Sequence, residues 1–93
     1  MDYSIAVVLD LRSTAAENLF VSLYFSPMGI TESRMERIVD RTWIMAGLVK
    51  LAELGLATVR EGRDGRYRWF SEVPETQENP VDIYRRVSNE HQG

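Results

Sequence analysis

Between Thr42 and Phe70 two patterns follow one another, a helical stripe and then a strand alternation. Ile44, Leu48, Leu51 and Leu54 recur at spacings of four, three and three residues, which puts four large apolar groups on one side of a helix. Gly55 follows at once, and glycine most readily takes the left-handed conformation that closes a helix. Leu56–Arg60 (LATVR) and Arg66–Phe70 (RYRWF) then alternate with the period of strands. Between them Glu61-Gly62-Arg63-Asp64-Gly65 holds an Asp-Gly step suited to a hairpin turn. The expectation is one helix over residues 42–54, capped by Thr42, and antiparallel pairing of 56–60 with 66–70.

Upstream, Thr14 and Glu17 have the spacing of a capping box, followed by Leu19, Phe20, Leu23 and Tyr24 at helical spacing and by Pro27 as a stop. Thr31 is placed to cap a second helix with Glu32 in its first turn and Met35, Ile38 and Val39 as its buried face. Tyr3–Leu11 (YSIAVVLDL) alternates through Tyr3, Ile5, Val7, Leu9 and Leu11, and its β-branched content favours a strand. A short helix capped by Asp2 is the alternative. After Pro74 the chain turns polar, and Asn79-Pro80 opens a last short helix with Ile83, Tyr84 and Val87 on its apolar face. Residues 1–73 read as one domain with an N-terminal extension, and 74–93 as a linker with a short helix.

Ile44–Leu56 (IMAGLVKLAELGL) resembles the end of the recognition helix in MarR-like, PadR-like and ArsR-like regulators, and Arg60–Phe70 (REGRDGRYRWF) resembles their wing. The resemblance covers roughly residues 13–72. It implies an α+β winged helix-turn-helix, with a three-helix core, a two- or three-stranded β-wing and a short C-terminal helix. It also implies a sequence-specific transcriptional regulator, for instance a repressor, of bacterial, archaeal, phage or plasmid type. Such a protein binds double-stranded DNA as a homodimer, with the third helix in the major groove and the wing on the backbone or minor groove. Residues 3–11 and 80–89, outside the wing fold's core, are the candidates for the dimer contact.

The DNA-contacting set expected on this basis is Arg41, Thr42, Trp43, Met45, Ala46, Lys50, Arg60, Arg63, Arg66 and Arg68. Guanidinium forks suit phosphate oxygens, and Arg66 and Arg68 fall on one strand face with Tyr67 and Trp69 on the other. Arg34, Arg37 and Arg41 line one side of the second helix at helical spacing, a solvated face from which Arg41, beside the turn, is placed to reach the DNA backbone. The outward third-helix positions (Thr42, Trp43, Met45, Ala46, Val49, Lys50) offer few groups that distinguish bases. Trp43, Met45 and Val49 form an apolar strip, so a winged-helix module that binds protein is the alternative.

Charge supports a local anionic contact rather than general coating of nucleic acid. The chain carries −3 overall, yet residues 34–70 hold eight basic and five acidic groups, a balance of +3. Local potential steers an anionic partner. There is no cysteine, and His91 is the one histidine, so disulfides, thiolate sites and histidine-based triads are excluded. Neither catalysis, a metal nor a cofactor is expected. The apolar N-terminal stretch lacks a basic leader and is too short to span a bilayer, and a cytoplasmic protein without a targeting segment is expected.

Overall fold

The computed structural model describes residues 3–92, and side chains from residue 11 to residue 91. Its elements are α1 (Tyr3–Tyr24), α2 (Glu32–Met35), α3 (Arg41–Glu53), β1 (Ala57–Glu61), β2 (Tyr67–Ser71) and α4 (Pro80–Gln92). The fold is α+β, with one two-stranded antiparallel sheet, and its layout is compatible with a winged helix. Ile30 adds a single bridge to β2, exchanging both backbone hydrogen bonds with Trp69 at 3.0 and 2.8 Å. The sheet therefore has a rudimentary third strand.

The strand expected over residues 3–11 is absent. That stretch is helical and runs without a break into Ser13–Tyr24, so Thr14 and Glu17 are interior and form no capping box. The reason is local. No glycine or proline interrupts residues 3–26, and a helix satisfies its own backbone groups, whereas a strand there has no partner edge.

Buried Ala15, Ala16, Leu19, Phe20, Leu23 and Tyr24 give α1 its inner face. Met35, Ile44, Leu48, Leu51, Leu56, Trp69, Ile83 and Tyr84 complete one core, which includes the C-terminal helix. The polar segment after Pro74 is tied down by Tyr24. Its hydroxyl accepts from the Thr76 amide at 2.7 Å and contacts the Thr76 and Glu78 carbonyls at 3.1 Å. Asn79 then caps α4 by accepting from the Val81 amide at 2.8 Å.

α2 is shorter than its apolar spacing predicts. It ends at Met35, and Glu36–Val39 form turns in which Arg37 bonds Arg34 and Ile38 bonds Met35. Ile38 and Val39 still pack against the core from these turns, while Arg34, Arg37 and Arg41 do not form a helical ridge.

α3 runs over Arg41–Glu53, one residue earlier than expected, and its cap lies two residues earlier. Asp40, not Thr42, is the cap, accepting from the Thr42 amide at 2.9 Å. That bond, followed by the Thr42 side chain, holds the Asp40 carboxyl below its ordinary pKa. The helix closes with a Schellman motif at Gly55 (φ 72°), in which the Leu56 amide bonds Leu51 at 2.9 Å and the Gly55 amide bonds Ala52 at 3.1 Å.

Gly47 sets the approach of α3 to α1. A Cβ there would lie 2.9 Å from Leu19 Cδ1 and 3.2 Å from the Ala16 backbone nitrogen. Overpacking of this kind costs about 1–3 kcal/mol, against which alanine's better helix propensity returns about 1 kcal/mol. Gly47→Ala is expected to be destabilising on balance by urea denaturation. Equal or greater stability would mean that α1 and α3 separate easily.

Candidate nucleic-acid interface

The third helix presents an exposed line of Arg41, Thr42, Met45, Val49, Ala52 and Glu53. Trp43, Ala46 and Lys50 are half-buried instead. The Ala46 carbonyl accepts from Arg12 Nε at 3.3 Å, and the same guanidinium reaches Glu53 at 3.4 Å. The inward stripe is as the leucine spacing predicts, with Ile44, Leu48 and Leu51 buried and Gly47 added to it. Arg41 is highly exposed and lies 3.6 Å from Glu36.

The hairpin pairs one residue later along each strand than LATVR and RYRWF indicate, joining Ala57 to Ser71 and Glu61 to Tyr67. Two faces follow from the pairing. Ala57, Val59, Glu61, Tyr67 and Trp69 form the inner face, on which Ala57 and Trp69 enter the core. Thr58, Arg60, Arg68 and Phe70 form the outer face.

Arg60 and Arg68 stand directly opposite one another, an unfavourable like-charge pair, and each has a separate partner. Arg60 lies over the Phe70 ring at 4.2 Å. Arg68 donates to Asp64 Oδ2 at 3.0 Å. Asp64 also accepts from the Arg66 amide at 3.1 Å. This backbone bond, then Arg68, holds the Asp64 carboxyl below its ordinary pKa. A depressed carboxylate contributes in full above the ordinary aspartate range, and its contribution fades as pH falls through the lowered value. The turn itself depends on Gly65 at φ 79°, with its amide bonded to Gly62 at 3.0 Å.

The four wing arginines thus separate into two pairs. Arg63 and Arg66 are exposed at the tip with no carboxylate partner among the described residues. Arg60 and Arg68 lie on the outer face, each already engaged.

One connection was not legible in the sequence. Trp69 Nε1 donates to Glu32 Oε1 at 3.3 Å, joining the wing to the start of α2, and Glu32 shares a cleft with Ile44 and Met45. Trp69, Glu32 and Met45 therefore link the inner face of the wing to the outer side of α3. Val59, Tyr67, Met45 and Val49 are all large, apolar and exposed. Glu32→Ala is expected to speed amide exchange at Ile30 and Trp69, because the wing loses its tie to α2. Glu32→Gln keeps an acceptor oxygen and is expected to leave that exchange unchanged. Identical behaviour of both variants would remove the positioning role.

The chain matches no protein-family model, no curated protein and no solved structure. Among the described residues no helix is long and apolar enough to cross a membrane.

Proposed function

We propose that this chain is a winged helix-turn-helix regulator that binds double-stranded DNA. The observation that carries the reading is the pair of arginines, Arg63 and Arg66, without a carboxylate partner among the described residues, at the tip of a hairpin that follows a three-helix unit. Two guanidinium groups held there by a glycine turn suit backbone phosphates. α3 enters the major groove with Arg41, Thr42, Met45 and Val49 foremost. Of these, Thr42 offers a hydrogen-bonding hydroxyl, while Met45 and Val49 suit thymine methyl groups. Much of the sequence preference then comes from groove shape and deformability. Arg60, Arg68, Trp43, Ala46 and Lys50 support this surface from its outer face and flank.

Two copies bind together, matching two half-sites about one helical turn apart. The apolar sequence of Tyr3–Leu11, with Ser4 and Asp10 as its polar members, supports a dimer contact, since a helix apolar on all sides requires cover. Sedimentation across a concentration series tests this, and a monomer at all concentrations removes it.

The decisive experiment is binding to random duplex DNA at several salt concentrations. A steep fall in affinity with rising salt is expected, and no binding at low salt overturns the reading. A protein-binding role is the second reading. It is favoured by the exposed apolar groups Met45, Val49, Val59 and Tyr67, for which a salt-insensitive interaction is expected.

A further inference from the structure

β1 is paired on one side only, so its other side is a free edge of the sheet. The hydrogen-bond phase of the hairpin fixes what that edge offers. Gly62 donates to Arg66, and Glu72 donates to Leu56. Bonded and non-bonded pairs alternate along an antiparallel ladder, so Thr58 and Arg60 bond β2, opposite Phe70 and Arg68. Trp69 exchanges its backbone bonds with Ile30 on the far side. Ala57, Val59 and Glu61 therefore turn their N–H and C=O groups away from β2, and no backbone hydrogen bond among the described residues reaches them.

Such an edge is a template for another strand, and proline, lysine or a bulge commonly blocks it. β1 reads ATVRE and holds neither proline nor lysine. Its pairing with β2 runs through all five residues without a bulge. Val59, at the middle of the strand, is 42% exposed. What remains to discriminate between partners is the charge of Arg60 and Glu61.

A second copy of the same strand satisfies those charges in one register. Centred on Val59, two antiparallel copies of β1 overlap over all five residues. Val59 then faces Val59 of the second copy, Thr58 faces Arg60 and Ala57 faces Glu61, so each charge lies opposite an uncharged side chain. The outward groups recur at every second residue, which leaves Thr58, Arg60 and Glu61 as the neighbouring centres. Centres at Arg60 or Glu61 set like charges directly opposite, which is destabilising. A centre at Thr58 carries Glu61 past the strand to Gly55, whose φ of 72° is not that of a strand.

We propose that β1 is a self-association edge, at which two copies join by Val59-centred antiparallel pairing into one four-stranded sheet. The hydrogen-bonded Val59 pair has its Cα atoms about 5.5 Å apart, and the two valines cover one another on the inner face. The two hairpin tips point to opposite ends of the joined sheet. The pairing uses neither the tip arginines nor Tyr3–Leu11, and it goes beyond the DNA reading.

The test is amide exchange of the isotope-labelled native chain, followed by NMR from about 20 μM to about 1 mM. Exchange at Val59 and Glu61 is expected to slow about 3-fold or more across that range, as their N–H groups gain acceptors. Thr58 and Arg60, already bonded to β2, are expected to be protected throughout. Exchange at Val59 that does not depend on concentration overturns the proposal, even where sedimentation shows a dimer through Tyr3–Leu11. Val59→Lys opposes two ammonium groups at the centre of the pairing. It is expected to remove the concentration dependence and leave Thr58 and Arg60 protected. The chain has no cysteine, so one introduced thiol reads the register. Val59→Cys is expected to form a disulfide-linked dimer at least about 10-fold faster than Glu61→Cys, whose mate lies four residues along the paired strand, about 13 Å away. Equal rates, or a Val59→Lys chain that exchanges like the native one, also overturn the proposal. No DNA is present in these measurements, so their failure leaves the DNA reading intact, and failure of DNA binding leaves them intact.

Discussion

Leu48→Ala is expected to cost about 2–5 kcal/mol of folding stability, whereas Val49→Ala costs less than about 1 kcal/mol. Leu48 is fully buried in the core to which α1 and α3 both contribute, and its neighbour is 42% exposed. Removing the leucine forfeits its transfer free energy and leaves a cavity between two helices. Those helices cannot close fully, because Gly47 already sets the α1 and α3 backbones near their limit. A domain of this length has a total stability on the order of 5–14 kcal/mol, so the variant is expected to remain folded only at low urea concentration. If it does not fold at all, Leu48→Met supplies the comparison, since a volume-conserving exchange costs less than about 1.5 kcal/mol. Urea melts of both alanine variants measure the difference. Equal costs would show that the helix presents a different face to the core, and the exposed line of α3 would move with it.

Legibility in the sequence followed the range of the interactions. The α3 stripe, its glycine stop and the hairpin depend on residues a few positions apart, and there the expected and observed elements differ by about one residue. Tyr3–Leu11 was misread because its alternation is compatible with either period when nearly every residue is apolar. The uninterrupted run into Ser13–Tyr24 was the better guide. α2 was overextended because Ile38 and Val39 have helical spacing from Met35, yet tight turns deliver them to the same core. Of the candidate surface, Thr42 and Met45 are exposed as expected. Trp43, Ala46 and Lys50 are half-buried, and at Ala46 the cover is Arg12 of α1, a contact between residues more than thirty positions apart. The division of the arginines depended on the strand register and on partners such as Asp64 and Phe70. The tie between Glu32 and Trp69 spans 37 positions and left no local trace.

Arg63→Ala combined with Arg66→Ala is expected to weaken binding to random duplex DNA about 60-fold at roughly 0.1 M salt, and to flatten the salt slope by about 1.8. The estimate assigns one phosphate to each guanidinium, so that each loss removes about 0.9 from the slope and roughly 8-fold in affinity at that salt. The fold is expected to survive, because both side chains are exposed at the turn. The Arg66 backbone amide that binds Asp64 is retained in alanine. Arg60→Ala is the internal control. Its guanidinium stacks on Phe70 at the outer face, and its removal is expected to change affinity less than about 3-fold and leave the slope nearly unchanged. Met45→Ala behaves differently again. On DNA it reduces preference for the best sites and leaves random-sequence binding alone, since a thymine-methyl contact carries sequence information and no charge. In a protein interface it removes partner binding by about 2 kcal/mol or more with no salt dependence. A tip double variant that binds duplex DNA as tightly as the native chain, with the same slope, would leave the wing without a phosphate contact. The apolar surface of Met45, Val49, Val59 and Tyr67 would then be the better account of what the protein recognises.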